Sequence, residues 1–329
     1  MLDATEVFAA SQPSASLRKN DPMRIIFAGT PAIAVPSLEA VLAGGHEVVG
    51  VLTRQDAPLG RKRILTPSPI AAAAERLGIP TLKANRLDES AGEWIRALQP
   101  DLGVIVAYGA LLREPVLSLP ELGWINLHFS ELPRHRGAAP VQRALMAGEQ
   151  TLGVTVFRLT EGLDDGVVLT RDHQSFAIGT TAGQALESLA EFGVTALLGA
   201  IELLQADAQA GEPQQGDSSY AHKLSRDDGR LDLSQPTAAV LAQWAGVTPE
   251  PGAWTECEGA VLKLLELAPR TDAAAPIGGA GASVQLRQGR AVLTLSDGEV
   301  ELIRVQPAGK PAMDAAAWLR GRGGETVLS

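Results

Sequence analysis

Residues 24–31 read RIIFAGTP, an apolar run that ends in a turn with Gly and Pro. A short apolar run bounded by turn residues is typical of a buried strand. Apolar side chains then recur at helical spacing over residues 33–42, Gly44-Gly45 ends that pattern, and a second apolar run covers residues 47–52. A strand, a helix and a strand in this order predict a parallel sheet with right-handed crossovers.

The turn after the first apolar run also indicates which cofactors this domain can bind. A dinucleotide-binding turn has the pattern G-x-G-x-x-G, whereas this turn contains Gly29 alone. A single glycine does not let a pyrophosphate approach the backbone in the usual way. The turn therefore argues against NAD, and a plain connection from strand to helix is the simpler interpretation.

The alternation of helix and strand patterns continues to about residue 205. We predict further helices over residues 67–77, 88–98, 138–147 and 181–205, and strands over residues 102–107, 124–127, 153–159 and 166–173. Residues 206–219 are rich in Ala, Gly, Gln, Asp and Pro, which indicates a linker. Beyond residue 230, short alternating segments separated by glycine turns predict a small β-barrel or sandwich.

Composition narrows the class of protein. The chain of 329 residues is 45% hydrophobic and 20% charged, as in soluble globular proteins, and its length predicts two domains. Its formal net charge of −10 means that nucleic acid could bind only at a local basic patch.

Cys257 stands alone, which excludes a disulfide within the chain and suits a reducing compartment. We expect no membrane-spanning run and no zinc site, because apolar runs are short and the histidines are scattered.

The most informative stretch is residues 123–140, GWINLHFSELPRHRGAAP. Asn126 and His128 alternate on a predicted strand, so their side chains share a face near its end, where ligands of open α/β sheets bind. A histidine there is more often structural than catalytic, and an acidic loop such as the one with Asp164 is usually a solvated turn. Together, an amide, an imidazole and a carboxylate form a set that suits acyl transfer to an amine.

These motifs resemble the methionyl-tRNA formyltransferase family, and the resemblance extends from Met23 nearly to the C-terminus. The runs that carry it are residues 24–31, 60–63, 66–69, 106–109, 126–140, 162–164 and 306–310. The resemblance implies an α/β fold: a Rossmann-like formyltransferase domain with a parallel-rich sheet, followed by an OB-like β-barrel domain. We place the first domain at residues 23–205, the linker at 206–229 and the barrel domain, a tRNA-binding unit, at 230–329. Residues 1–22 then form a leader, which we expect to be disordered.

The resemblance also implies a reaction. The formyl group of 10-formyltetrahydrofolate would pass directly to the α-amino group of initiator methionyl-tRNA, in the cytoplasm, for translation initiation. The resemblance assigns the catalytic roles to Asn126, His128 and Asp164, with Asp164 orienting the His128 ring. Cofactor-binding positions would be Ser130, Glu131, Leu132, Pro133, Tyr108 and Gly109. No metal and no obligatory protein partner are implied.

Three positions depart from the family pattern. Glu131 stands where Leu is usual, His135 where Trp is common, and Asp165 where a smaller neutral residue is usual. We expect His135, between two arginines, to be solvated or to face RNA. We expect Asp165 to be exposed.

Binding of tRNA would use a basic loop after the second strand. These basic residues lie in a long loop. The resemblance implies that Arg61 reads the first base pair of the initiator tRNA and that its neighbours contact the tRNA backbone. The predicted tRNA contacts are Arg61, Lys62, Arg63, Arg54 and Lys310, with Arg320 and Arg322 as further candidates.

Two alternatives remain open from the sequence. A formyltransferase for a nucleotide sugar or a purine precursor would share the amide, imidazole and carboxylate. A non-catalytic RNA-binding protein could use the same scaffold. A basic run such as residues 61–63 is usually only a solvated loop, and Lys310, Arg320 and Arg322 could equally be ordinary surface charge.

Overall fold

The computed structural model describes residues 21–60, 62–270 and 282–329. Residues 1–20 of the predicted leader, and Arg61, lie outside these ranges. Within them, the N-terminal half alternates strands and helices, as the sequence predicts. Its strands are β1 (Arg24–Gly29), β2 (Glu47–Thr53), β3 (Ala57–Leu59), β4 (Ile64–Thr66), β5 (Thr81–Lys83), β6 (Leu102–Val106), β7 (Trp124–His128), β8 (Thr151–Arg158) and β9 (Val168–Ser175). Its helices are α1 (Val35–Ala43), α2 (Pro69–Leu77), α3 (Glu89–Leu98), α4 (Pro140–Met146) and α5 (Ala182–Ala206).

One sheet organises this half of the molecule. Among the described residues its order is β5-β2-β1-β6-β7-β8-β9. The strands from β5 to β7 pair in parallel, whereas β7–β8 and β8–β9 pair antiparallel. Helices cover both faces, because α1 and α5 pack on one side and α3 on the other. The predicted Rossmann-like sheet is confirmed.

The first turn is shaped by packing. A Cβ on Gly29 would lie 2.9 Å from the Cβ of Ala34 and 3.0 Å from the carbonyl oxygen of Val106. A side chain at this position would therefore push α1 away from the sheet. This glycine is required by the close approach of strand and helix.

The long helix α5 corrects the expectation that no apolar run is long enough to span a membrane. It has 25 residues and is apolar enough, by length and composition, to cross a membrane. Here it runs across β8 and β9 and contributes Leu189, Leu197 and Ile201 to the core. A capping box of Thr181 and Gln184 begins it.

The C-terminal part forms a barrel. Its elements are α6 (Thr237–Val247), β10 (Trp254–Cys257), β11 (Ala260–Pro269), β12 (Ala282–Arg287), β13 (Arg290–Thr294), β14 (Glu299–Pro307), β15 (Met313–Asp314), α7 (Ala315–Arg320) and β16 (Glu325–Leu328). In the described ranges the strands run in the order β11-β10-β16-β12-β13-β14-β15, and β11 also pairs with β14. That pairing closes six antiparallel strands into a barrel, which confirms the predicted β-barrel.

Several elements differ from the prediction. The loop expected at residues 57–66 contains the hairpin of β3 and β4. Helices α6 and α7 were not predicted; α6 packs on α4, and its Trp244 donates a hydrogen bond to the Leu264 carbonyl oxygen at 3.0 Å. The predicted linker also makes contacts, since the Ala221 N–H donates to the Arg136 carbonyl oxygen at 2.7 Å. The domain division at residues 205 and 230 stays a prediction.

Candidate active site

Asn126 and His128 lie on β7, which has neighbours on both sides. Asn126 is in register with Ile105 of β6 and Phe157 of β8, and His128 is in register with Thr155 of β8. Because residues two apart point the same way on a strand, both side chains reach the same face. Pairing on both edges holds this strand, and therefore both side chains, in place.

The imidazole of His128 is buried, with 6% of the residue exposed. Its Nε2 lies 3.0 Å from the carbonyl oxygen of His135, and its ring meets the ring of Phe157 edge-on at 6.3 Å. A carbonyl oxygen can only accept, so Nε2 carries the hydrogen and Nδ1 of the neutral ring keeps its lone pair. Burial lowers the pKa of His128, against the opposing effect of the Asp164 carboxylate. The ring is therefore a neutral base near pH 7.

Asp164 comes to this ring from the loop between β8 and β9. Its Oδ2 lies 3.9 Å from His128 Nδ1 and accepts a hydrogen bond of 2.7 Å from the Gly137 N–H. Its backbone has a φ of +50°, and Gln214 donates to its carbonyl oxygen at 2.8 Å. The structure thus brings together the imidazole and the carboxylate. The direct hydrogen bond to the ring comes from the His135 carbonyl, and the role of Asp164 in orienting the ring stays a prediction.

Gly137 holds the carboxylate through its backbone. Its φ is +116°, and a Cβ there would lie 2.9 Å from the carbonyl oxygen of Ala221. The N–H groups of Arg136 and Ala139 donate to the carbonyl oxygens of Ser219 and Ala221, which fastens this segment beside the site. Residues 219–221 were missed from the sequence, since no local pattern there indicates a contact so distant in the chain.

The predicted cofactor segment 130–133 has its side chains engaged within the protein. Ser130 donates to the Arg134 carbonyl oxygen at 2.6 Å, and Leu132 is 1% exposed. Glu131 Oε1 lies 3.4 Å from Nδ1 of His173 on β9. Pro133 is also buried. The side chains of this segment therefore leave little for a ligand to contact, and its backbone is partly engaged as well, since the Thr155 hydroxyl donates to the Ser130 carbonyl oxygen at 2.7 Å.

The predicted cofactor positions Tyr108 and Gly109 are also engaged within the protein. The Tyr108 hydroxyl donates to the Ala84 carbonyl oxygen at 2.9 Å, and burial raises its pKa. Its own carbonyl accepts from the Thr30 hydroxyl at 2.8 Å. The side chain of Tyr108 belongs to the core between β1 and α3 and is closed to a ligand.

Arg54, a predicted tRNA contact, is engaged within the protein, and its contact with tRNA stays a prediction. Its guanidinium donates to the Gly109 carbonyl oxygen and, at 2.7 Å, to Oδ1 of Asn85. These bonds join the carboxyl ends of β2 and β6. Arg54 therefore braces the edge of the sheet.

The other predicted tRNA contacts do not meet at this site. Lys62 and Arg63 are exposed on the hairpin, and Lys310 is exposed after β14, whereas Arg61 lies outside the described residues. In the barrel, Arg320 is exposed at the end of α7, while Arg322 stacks on Trp318 at 5.3 Å and pairs with Glu258 at 2.6 Å. Arg322 is thus already engaged.

The positions that depart from the family pattern behave differently from one another. Asp165 is exposed, as expected, and accepts a hydrogen bond from Thr160. His135 is not solvated: its ring is largely buried and bonds to Glu149 at 2.9 Å. Within the described ranges, no group of three His, Cys, Asp or Glu side chains could hold a metal ion.

The site is a buried imidazole with a half-buried amide and a half-buried carboxylate at the carboxyl end of β7 in a Rossmann-like sheet, and comparison with known proteins identifies its class. The Formyl transferase family matches residues 23–201, and the Formyl transferase, C-terminal domain family matches residues 223–323. These two matches cover most of the chain. They define the class as formyltransferases.

Individual relatives narrow the class. The methionyl-tRNA formyltransferase of Clavibacter sepedonicus is 52% identical over 91% of this chain and 97% of its own. The chain therefore belongs to the methionyl-tRNA formyltransferase family.

Solved structures share the fold. A methionyl-tRNA formyltransferase from Clostridium thermocellum, with 12% identity, aligns over 76% of this chain and 95% of its own with a TM-score of 0.55. HypX from Aquifex aeolicus in complex with tetrahydrofolic acid, with 18% identity, aligns over 91% of this chain and 47% of its own with a TM-score of 0.65.

Proposed function

We propose that this enzyme transfers the formyl group of 10-formyltetrahydrofolate to the α-amino group of methionine on initiator tRNA. The observation that carries the proposal is the buried His128 ring, with its lone pair at Nδ1 and the Asp164 carboxylate 3.9 Å away. The family of the chain supports methionyl-tRNA as the acceptor and a folate as the donor of the formyl group. Neither alternative reading of the sequence is favoured by these relatives.

Attack on the formyl carbon requires a neutral amine. The methionyl amine carries an extra proton in water, and His128 Nδ1 and Asp164 Oδ2 are the adjacent groups that can accept it. The gap of 3.9 Å is too long for a direct hydrogen bond between them, and an N–H or a water between the two can bond to both. The pair therefore serves as the base.

The nitrogen lone pair then forms a bond to the formyl carbon, and the carbonyl electrons move to oxygen. Asn126 on the same face of β7 supplies an N–H for this oxyanion. Neutral His128 has its one N–H on the His135 carbonyl, so it donates from Nδ1 only after it has taken up a proton. Asn126 is thus the first donor and His128 the second.

When the tetrahedral intermediate collapses, the bond between the formyl carbon and N10 of the folate breaks. The N10 nitrogen must gain a proton as it leaves, and the methionyl nitrogen must lose its extra protons during the reaction. His128, protonated at Nδ1, returns to the neutral ring when it delivers that proton to N10. The nitrogen of the adduct loses its second proton to Asp164 and from there to water, so one proton is released overall and the step balances without an acyl-enzyme, a metal or an external acid.

The folate would lie along the backbone of residues 130–133 and 108–109. The side chains of Ser130 and Tyr108 hydrogen-bond within the protein, and Glu131 Oε1 lies 3.4 Å from His173 Nδ1. Leu132, Pro133 and Gly109 complete this predicted surface. We assign recognition of the folate to backbone groups rather than to these side chains.

The tRNA would bind across the hairpin and the barrel. Lys62 and Arg63 are exposed in the hairpin, and Lys310 is exposed on the barrel. Because the chain has a net charge of −10, such contacts must be local, and they would weaken with salt. Arg61 would read the weak first base pair of the initiator. We place the enzyme in the cytoplasm, where initiator tRNA is used, and assign it no obligatory protein partner.

The test is transfer of a labelled formyl group. The enzyme is incubated with 10-formyltetrahydrofolate carrying ¹⁴C in the formyl group, together with methionyl-tRNA, uncharged tRNA or an amino sugar nucleotide. We expect label on methionyl-tRNA alone, recovered as formylmethionine after mild base. Label on the amino sugar and not on methionyl-tRNA would refute the proposed acceptor.

A further inference from the structure

His135 has a backbone that supports His128. Its φ is +59°, its N–H donates to the Ser219 hydroxyl at 2.9 Å, and its carbonyl oxygen accepts from His128 Nε2 at 3.0 Å. The direction of this carbonyl decides which nitrogen of His128 carries the hydrogen. The conformation of residue 135 is therefore tied to the chemical state of the base.

The ring of His135 is anchored separately. Its Nε2 donates to Oε1 of Glu149 at 2.9 Å, and Arg134 donates to the same oxygen at 2.5 Å. The exposed fractions of the His135 and Glu149 side chains are 14% and 23%. A shielded pair of this kind holds its geometry better than an exposed one.

Glu149 is itself fixed. It lies between α4 and β8, and its N–H donates to the Ala144 carbonyl oxygen at 3.0 Å. Residue 135 is thus held at its N–H by Ser219 and at its ring by Glu149. The carbonyl that contacts His128 is left with little freedom to rotate.

We infer that the His135–Glu149 pair positions His128, by fixing the carbonyl that keeps the hydrogen on Nε2 and the lone pair on Nδ1. His135 and Glu149 do not touch the reacting atoms and are positioning residues. Charged groups around the pair are Arg134 on Glu149 and, across the His128 ring, Asp164. The effect on turnover rests on the proposed function, whereas the effect on the His128 tautomer does not.

The test uses two single variants and their combination. Glu149→Ala removes the anchor of the ring. His135→Asn also removes it but keeps a residue that tolerates positive φ. We expect kcat to fall about tenfold or more in each, because small displacements in an active site are costly. The KM values for folate and for methionyl-tRNA should not change, and the double variant should lose no more than either single variant.

A spectroscopic measurement reports on the tautomer itself. Long-range ¹H–¹⁵N spectra of the imidazoles, with His128 assigned through His128→Gln, should show Nε2–H and a bare Nδ1 in the wild type. In Glu149→Ala the His128 signals should move toward a mixture of tautomers. Glu149→Gln keeps an acceptor for the His135 ring and should restore both the wild-type spectrum and most of kcat.

The control is His173→Gln, which removes the exposed imidazole–carboxylate pair of His173 and Glu131 and should leave the spectrum of His128 unchanged. Wild-type kcat and an unshifted His128 tautomer in both Glu149→Ala and His135→Asn, with native circular dichroism, would overturn the inference. A shift of the tautomer in an enzyme that shows no formyl transfer would instead uphold the positioning and refute the proposed function.

Discussion

The edge of the sheet around His128 and the hairpin of β3 and β4 differ in where their side chains find partners. At the edge, His128 contacts Phe157, its Nε2 bonds to the His135 carbonyl, and the Asp164 carboxylate bonds to Gly137. On the hairpin, Leu59, Ile64 and Leu65 are between 63% and 68% exposed. The groups for chemistry are thus fixed by the fold, whereas the hairpin presents apolar surface that the described part of the chain leaves exposed.

The largest expected effect comes from the carboxylate. Asp164→Asn keeps an acceptor for the Gly137 N–H but removes the charge beside Nδ1, so we expect kcat to fall at least about a hundredfold. Single-turnover transfer of labelled formyl measures the step. Asp165→Asn, at the exposed neighbour, is the matched control and should behave as the wild type. Normal turnover in Asp164→Asn would show that the negative charge beside His128 Nδ1 does not drive transfer.

The second expected effect tests whether the backbone of Gly137 keeps the edge of the sheet around His128 in place. Gly137→Ala would strain a residue with φ of +116° and place a methyl group against the Ala221 carbonyl, so kcat and stability should fall together. We expect a loss of about 1–3 kcal/mol in the free energy of unfolding, measured with urea. Gly289→Ala has a φ of +81° and open space around it, and it should lose stability but keep kcat. Equal losses of kcat in both would contradict the local explanation.

The third effect belongs to the hairpin. The double variant Ile64→Ser/Leu65→Ser removes exposed apolar surface that contributes nothing to the core. If tRNA covers this surface, the KM for methionyl-tRNA should rise by about tenfold, equivalent to roughly 1.4 kcal/mol of binding. The KM for folate, kcat and the melting temperature should not change.

Val327→Ser removes a similarly exposed side chain, 62% exposed on β16, and is the control for that experiment. It should leave every parameter unchanged. A fall in melting temperature for the hairpin variant would mean that the hairpin is part of the folded core, and the contrast between the two regions would disappear.

The smallest effect concerns pH. Burial lowers the pKa of both His128 and His46 in the folded state. The unfolded chain binds protons first as pH falls, so the free energy of unfolding decreases below the unfolded pKa of about 6.5 until each folded pKa is passed. Urea unfolding at pH 7 and pH 5 should show a smaller decrease in His128→Gln than in the wild type. An equal decrease would mean that His128 does not resist protonation.

The sequence predicts the sheet better than it predicts the supports of the site. Buried parallel strands are continuous apolar runs, so β1, β2 and β6 could be located directly. The shared face of Asn126 and His128 follows from the period of a strand. The approach of Asp164 to His128 was expected from the family resemblance alone, since no local pattern relates a loop at residue 164 to β7.

Other features could not be predicted for physical reasons. Helix α6 is apolar on several sides because it packs against both α4 and the barrel, and so it lacks the polar face of an ordinary surface helix. The hairpin strands are three residues each, too short for alternation to show. The support of His128 comes from a backbone carbonyl at residue 135, and any residue type could supply that atom.

A structure of the enzyme with a stable analogue of 10-formyltetrahydrofolate tests the central claim most directly. We expect the formyl carbon near both His128 Nδ1 and Asp164, with its oxygen within hydrogen-bond reach, about 2.7–3.1 Å, of the Asn126 amide. His128 Nε2 should remain on the His135 carbonyl. A formyl group bound away from Asn126, with no side-chain donor on its oxygen, would contradict the account.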